Sequence, residues 1–156
     1  MAIRADTARN AYLRLRRRLK PPGSSLRPLQ TYSGHSATIW SIAFVPNSEH
    51  VVSASEDRTI RVWSLAECRG VGRVIKRGSS AEVVAVSEDG NLLAIGGVDG
   101  KVEIWDTKSL QKVVEAKEGH SSWVTSLSFS SDSTRIASGS DDCSVSVWST
   151  STGERL

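Results

Sequence analysis

The sequence predicts an all-β protein of three repeated, antiparallel four-stranded units, preceded by a short basic amphipathic helix. Three observations lead there. One phrase is written three times, as "SASEDRTIRVW" (Ser53–Trp63), "IGGVDGKVEIW" (Ile95–Trp105) and "SGSDDCSVSVW" (Ser138–Trp148). Each phrase ends in a Trp six residues after an Asp (Asp57, Asp99, Asp142), and the three Trp recur at intervals of 42 and 43 residues. From Leu26 onward, short β-like runs alternate with Asp/Gly/Ser/Asn clusters, the pattern of strands and tight turns. A fixed period of this size marks stacked supersecondary units, each too thin to bury its own apolar faces.

The N-terminal stretch "RADTARNAYLRLRRRLK" reads differently. Ala8, Tyr12, Leu15 and Leu19 share one face of a helix, and Asp6 or Thr7 caps its start. "PPGSS" (Pro21–Ser25) then stops the helix and serves as a linker. The formal net charge of +3 is unevenly placed: residues 1–20 hold seven Arg/Lys against one acid, whereas residues 21–156 hold 13 basic and 16 acidic residues. The domain reading is therefore a basic helix over 1–20, a linker over 21–25 and a repeat segment over 26–156, with units at about 34–75, 76–118 and 119–156.

Within the first unit the expected strands are "TIWSIAFV", "HVVSASE", "TIRVWSL" and "GRVIKR". Four such runs with tight connections make a meander. Asp99-Gly100 is the strongest hairpin signal in the chain. In the third strands Ile60/Val62, Val102/Ile104 and Val145/Val147 point to one face, and Arg61/Trp63, Glu103/Trp105 and Ser146/Trp148 to the other.

These residues carry a resemblance. "GHSATIWSIAFVPNSEHVVSASEDRTIRVWS" and "GHSSWVTSLSFSSDSTRIASGSDDCSVSVWS" resemble the WD-repeat (Trp-Asp repeat) β-propeller family, and the middle unit ends in the literal dipeptide Trp105-Asp106. The resemblance covers residues 26–156 and implies a partial β-propeller of three four-stranded blades. It also implies a buried chain of four side chains per blade: the His of Gly-His, a second-strand Ser, the turn Asp and the third-strand Trp. That assigns His35, Ser53, Asp57 and Trp63 to the first unit and His120, Ser138, Asp142 and Trp148 to the third, each polar group satisfying the next. The middle unit keeps Asp99 and Trp105 but has Arg77 and Ile95 where His and Ser are expected. It is therefore expected to lack the chain and to be the loosest blade, held by Val84, Val86, Leu92, Val102 and Ile104.

The same residue types raise the possibility of catalysis. His35/Ser53/Asp57 and His120/Ser138/Asp142 have the composition of a hydrolase triad. The set occurs twice, each time with a Trp at fixed spacing, and no G-x-S-x-G elbow is present, so structure explains it and catalysis does not. "GGVDGK" (Gly96–Lys101) lacks the first Gly and the Ser/Thr of a P-loop and reads as a hairpin turn. Cys68 and Cys143 match no zinc spacing, and His50 stands alone, so neither metal nor cofactor is expected and the chain is not read as an enzyme. Two unpaired cysteines point to a reducing compartment. No apolar run reaches the ~20 residues of a membrane span, and no secretory signal is evident. The expected location is cytoplasmic or nuclear.

The resemblance implies a protein-interaction scaffold whose partners dock on the face rimmed by the connections into the innermost strands. Carried over, that face offers Thr38, Trp40 and Glu56 from the first unit and Glu82 and Val98 from the second. Trp123, Thr125 and Asp141 come from the third. Trp40 and Trp123 are the candidate anchors, with packing against a neighbouring blade as the competing role. The alternative function is a nucleic-acid-associated WD-repeat protein that uses "RLRRRLK" as a phosphate contact. Three blades do not close a ring of the usual four to eight. The partners expected are other proteins, with self-association or docking onto further WD repeats to complete the ring. A stretch of a longer repeat chain is the alternative reading.

Overall fold

The computed structural model describes residues 30–66 and 73–156; the expected N-terminal helix, the linker and Cys68 fall outside them. Tyr32–Leu156 forms one compact unit. It holds three antiparallel sheets. The first comprises β1 (Ile39–Val45), β2 (His50–Ser55), β3 (Thr59–Ser64) and β4 (Arg73–Lys76), and the second β5 (Ala81–Val86), β6 (Leu92–Gly97), β7 (Val102–Asp106) and β8 (Lys112–Glu115). The third comprises β9 (Val124–Phe129), β10 (Arg135–Ser140) and β11 (Val145–Ser149).

The third sheet has three strands where four are expected. In the fourth position only Glu154–Leu156 pair with β11, through a single bridge of Arg155 to Trp148. The Ser149 and Leu156 amides donate to the Glu154 and Val147 carbonyls at 2.9 Å each. The turn before them, with Gly153 at φ 71°, matches the one before β8, where Leu110 adopts φ 54°.

Repetition holds at the level of backbone detail. Each innermost strand (β1, β5, β9) has an irregularity at the same register, by Trp40, Glu82 and Thr125. Each turn between the second and third strands places one residue in the left-handed region: Arg58 (φ 66°), Gly100 (φ 73°) and Cys143 (φ 67°), all five residues before a repeat Trp. Non-glycine residues seldom adopt this conformation. Here the preceding Asp holds the turn from inside, its carboxylate accepting the amide two residues on: Thr59 at 2.9 Å, Lys101 at 3.3 Å and Ser144 at 2.9 Å. This is an Asx-turn, a side chain substituting for a backbone acceptor.

The strand alternation gives every sheet two apolar faces, and the core lies between sheets rather than within one. Val52, Ala54, Ile60 and Ile75 of the first sheet pack with Ala81, Val84, Leu93 and Ile95 of the second. Ala94, Val102 and Ile104 of the second pack with Val124, Ile136 and Trp148 of the third. The second sheet is thus covered on both sides, and Leu93, Ala94 and Ile95 are all fully buried. Amide protection follows from such coverage. By hydrogen exchange with mass spectrometry, β6 and β7 are expected to exchange more slowly than any strand of the flanking sheets, the opposite order to that expected from the sequence for the middle unit.

Candidate functional site

Each sheet contains a repeat tryptophan, buried in the first and third sheets and half-buried in the second, whose indole N–H is hydrogen-bonded. In the first, Trp63 Nε1 donates to Ser53 Oγ at 2.8 Å. Ser53 Oγ lies 2.6 Å from His35 Nε2, and His35 Nδ1 lies 2.8 Å from Asp57 Oδ2. A carboxylate only accepts, so Nδ1 carries the proton, Nε2 accepts from the serine hydroxyl, and the serine oxygen accepts from the indole. The third sheet repeats this with Trp148 Nε1 to Ser138 Oγ at 2.8 Å, Ser138 Oγ to His120 Nε2 at 2.7 Å and His120 Nδ1 to Asp142 Oδ2 at 2.9 Å. Ser53 and Ser138 are 2% and 1% exposed, so neither hydroxyl faces a substrate-sized space.

The middle sheet builds the same connection from other residues. Arg77 Nη2 donates to Asp99 Oδ1 at 3.3 Å and its Nε to Glu103 Oε2 at 3.0 Å. Trp105 Nε1 donates to that same Glu103 oxygen at 3.2 Å. Arginine cannot accept a hydrogen bond, so a serine next to it would have no proton acceptor to donate to; a carboxylate meets both donors. Ile95, in the serine's place, is fully buried in the first core cluster. Lys112 Nζ, 2.7 Å from Glu103 Oε1 and 2.8 Å from Glu115 Oε2, completes the charge balance, and Lys101 Nζ closes on Glu115 Oε1 at 2.6 Å. The unit expected to lack the chain therefore has an ionic one. Glu103 carried a signal in the sequence: it lies two residues before Trp105, hence on the tryptophan face.

The turn carboxylates are held in their charged form. Burial pushes Asp57 up, but the Thr59 hydroxyl, the Ser36 amide and His35 outweigh it and hold the group well below the ordinary 3.8. The Ser144 hydroxyl, His120 and the Ser121 amide do the same for Asp142. Asp132, in the turn at the opposite end of the third sheet, is lowered to about 2 by the Ser130 hydroxyl and the Thr134 amide and hydroxyl.

The proposed docking residues gather at the end of the sheets that carries the Asp turns. The Glu56 amide donates to the Thr38 carbonyl at 2.9 Å, Val98 to Ser80 at 3.4 Å and Asp141 to Trp123 at 3.0 Å. Each turn is thereby tied to the start of its innermost strand. Trp40 and Trp123 are 55% and 50% exposed. Thr38, Glu56, Thr125 and Asp141 are exposed, and Glu82 and Val98 half-buried. The Ser80 hydroxyl orients Glu82 at 2.7 Å. This end offers Glu56, Glu82 and Asp141 beside two indoles. A cavity of about 670 Å³ opens at the other end, over Val52, Val62, Leu93 and Leu110. Among the described residues no cluster of His, Cys, Asp and Glu has the arrangement of a metal site, and no helix is long and apolar enough to cross a membrane.

The model of the WD domain, G-beta repeat, matches residues 26–64, 72–106 and 111–149. The WD repeat-containing protein SL1-17 of Schistosoma mansoni is 32% identical over 78% of this chain and 40% of its own length. A guanine nucleotide-binding protein subunit beta of Arabidopsis thaliana is 28% identical over 80% of this chain and 35% of its own. The chain thus spans well under half the length of these relatives. Among solved structures, the computationally designed Ika4 protein superimposes with a TM-score of 0.71 at 30% identity, over 85% of this chain and 78% of that one.

Two outcomes are expected from the buried chains. Ser138→Ala leaves the Trp148 N–H buried without an acceptor and costs about 1–3 kcal/mol in urea denaturation. Glu103→Ala strips Arg77 of its closest counter-charge and costs about 3 kcal/mol or more. A third concerns acid. The carboxyls of Asp57, Asp142 and Asp132 are depressed in the folded state, so their stabilisation is complete above the unfolded value near 3.8 and is lost as pH falls through it toward the folded values. Melting temperature is expected to hold down to about pH 5 and to fall steeply below it.

Proposed function

The chain belongs to the WD-repeat family, and from that premise we propose that it is a non-catalytic scaffold that binds other proteins through the end of the sheets bearing the Asp turns. The observation that carries the reading is the pair of half-exposed indoles, Trp40 and Trp123, among carboxylates. Large, rigid aromatic groups supply contact area at low entropic cost and dominate interface energies. Glu56, Glu82 and Asp141 suit a partner segment that carries Arg or Lys, whose cations also pair with indole faces. Similarity to a G-protein β subunit supports the class, since a subunit works in contact with other chains. The location that goes with this role is cytoplasmic or nuclear. The alternative, nucleic-acid contact through the Arg-rich N-terminal segment, rests on residues 1–20 alone.

Affinity purification with the wild-type chain and the Trp40→Ala/Trp123→Ala double variant tests the proposal. Stability is expected to change by less than about 0.5 kcal/mol per site, while captured protein is lost. Unchanged capture removes the two indoles from the binding site. Binding that collapses by orders of magnitude between low and moderate salt, and is removed by nuclease, favours the nucleic-acid reading instead.

A further inference from the structure

The cavity at the end opposite the two indoles lies at the junction of the first and second sheets, and the second junction shows how it arises. Arg73 pairs with Val62 and Val114 with Ile104. Val62 and Ile104 each precede a repeat Trp, so Arg73 and Val114 are equivalent. The turns Asp106–Leu110 and Ser149–Gly153 are equivalent as well, closed by amide-to-carbonyl bonds of 2.9 and 3.0 Å between their end residues. At the second junction the turn settles on the outer strand of the preceding sheet. The Lys117 amide donates to the Gly153 carbonyl at 2.9 Å. A Cβ on Gly153 would lie 2.5 Å from the Glu115 carbonyl oxygen and 3.0 Å from Val114 Cγ2, an approach that only glycine permits.

At the first junction neither condition is met. Leu110 has a side chain, which packs against the core cluster. The outer strand presents the exposed Arg73 instead of a valine, and Arg73 Nη1 props the turn by donating to the Lys108 carbonyl at 2.6 Å. The cavity of about 670 Å³ opens beside these two residues. Both its walls belong to sheets consecutive in this chain, so a further repeat stacked on either outer face would leave it open. Its chemistry is divided. Val52, Val62, Leu93 and Leu110 give an apolar floor, and Arg73 and Lys108 stand on the rim, without an ion pair among the described residues. The carboxylate on the rim, Asp89, is taken up by its own turn, accepting from the Ser87 hydroxyl at 2.6 Å and from the Asn91 amide and Nδ2 at 3.0 and 2.8 Å. Asp106, in the turn of Lys108, is filled in the same way by the Lys108 and Ser109 amides and the Ser109 hydroxyl, at 3.1, 2.7 and 2.7 Å. The charge left free over the apolar floor is therefore positive.

We propose that this cavity binds a short segment of a partner protein in which apolar residues adjoin a carboxylate. The apolar side chains lie on Val62 and Leu110, and the carboxylate meets Arg73 and Lys108. A guanidinium already oriented by a carbonyl offers its remaining N–H donors as a fixed fork, which suits a carboxylate. The cavity opens along the end of the molecule and so covers one side of an extended segment, where a free small molecule would stay largely in water. The site is remote from Trp40 and Trp123 and does not depend on what those indoles bind.

Parallel selections of a displayed random decapeptide library on the full-length wild type and on Arg73→Glu test this. Peptides retained by the wild type alone are expected to combine apolar residues with Asp or Glu. In fluorescence anisotropy such a peptide is expected to bind Arg73→Glu about tenfold or more weakly, and to recover when its own acid is changed to Lys. Leu110→Gly copies Gly153 and lets the turn settle, so it is expected to abolish binding with the circular dichroism spectrum unchanged. The Trp40→Ala/Trp123→Ala variant is expected to bind the peptide as the wild type does. Lys108→Glu replaces Arg73→Glu should the latter lose its spectrum. The proposal is overturned if no peptide prefers the wild type, or if the preferred ones carry no acid. Binding that survives either substitution in a folded chain overturns it as well, and so does binding lost in the indole variant.

Discussion

A buried indole N–H that must find an acceptor is the constraint on which the rest of the structure depends. Trp63 and Trp148 are 5% and 1% exposed, and leaving either donor unsatisfied costs about 1–3 kcal/mol. A lone serine hydroxyl can accept the bond, but its own proton then needs a destination, which the imidazole supplies, and the imidazole in turn needs the carboxylate. That carboxylate also shapes the turn between the second and third strands. One hydrogen-bond chain therefore ties the core of each sheet to the loop that precedes it and to the turn at its end, three segments spread over 28 residues of sequence. The middle sheet meets the same constraint with charges, which brings a further one. Arg77 and Glu103 are almost wholly buried and have to be balanced, so Lys112 is drawn in from the outer strand. There it sits 5.6 Å from the centre of the Trp105 ring, as Arg155 sits 5.0 Å from that of Trp148.

How much of this could be read from the sequence depended on whether a feature repeats. The 42–43-residue spacing, the Asp-to-Trp interval and the alternation in the third strands place the three sheets and their repeat tryptophans, because they state the same geometry three times. Glu103 and Lys112 were not legible as partners, since each occurs once and their approach depends on the pairing of β7 with β8, where the register shifts beside Trp105. The roles of the two remaining tryptophans were open for a different reason. Trp40 and Trp123 stand at the mouths of innermost strands, and only the arrangement of the neighbouring connections decides whether such a residue is covered.

Two kinds of surface emerge, with different physics. The ends of the sheets are built of turns whose backbone groups are already satisfied, so their side chains are free to vary in chemistry and to meet partners of varied kinds. The flat faces of the sheets are less free. Their composition is set by the sheet they meet, as the opposed sizes of Gly96 and Val124 show, where a Cβ on the glycine would lie 2.6 Å from the valine Cγ1, and a substitution on one side calls for a compensating one on the other.

The turn held by Asp57, Asp99 and Asp142 separates shape from content. Because the carboxylate fixes the loop from within, the left-handed residue beside it is released from the usual demand for glycine, and Arg58 and Cys143 occupy it with their side chains in solvent. Gly100 is the exception, and the cause lies in its neighbour: a side chain there would collide with the carbonyl of His120. The same position in three copies of one motif is thus an open display site in two and a closed contact in the third. Arg58 makes the same bond between sheets as Gly100, its carbonyl accepting the Arg77 amide at 2.9 Å, so the junction alone does not demand glycine, and the side chain varies over a constant backbone.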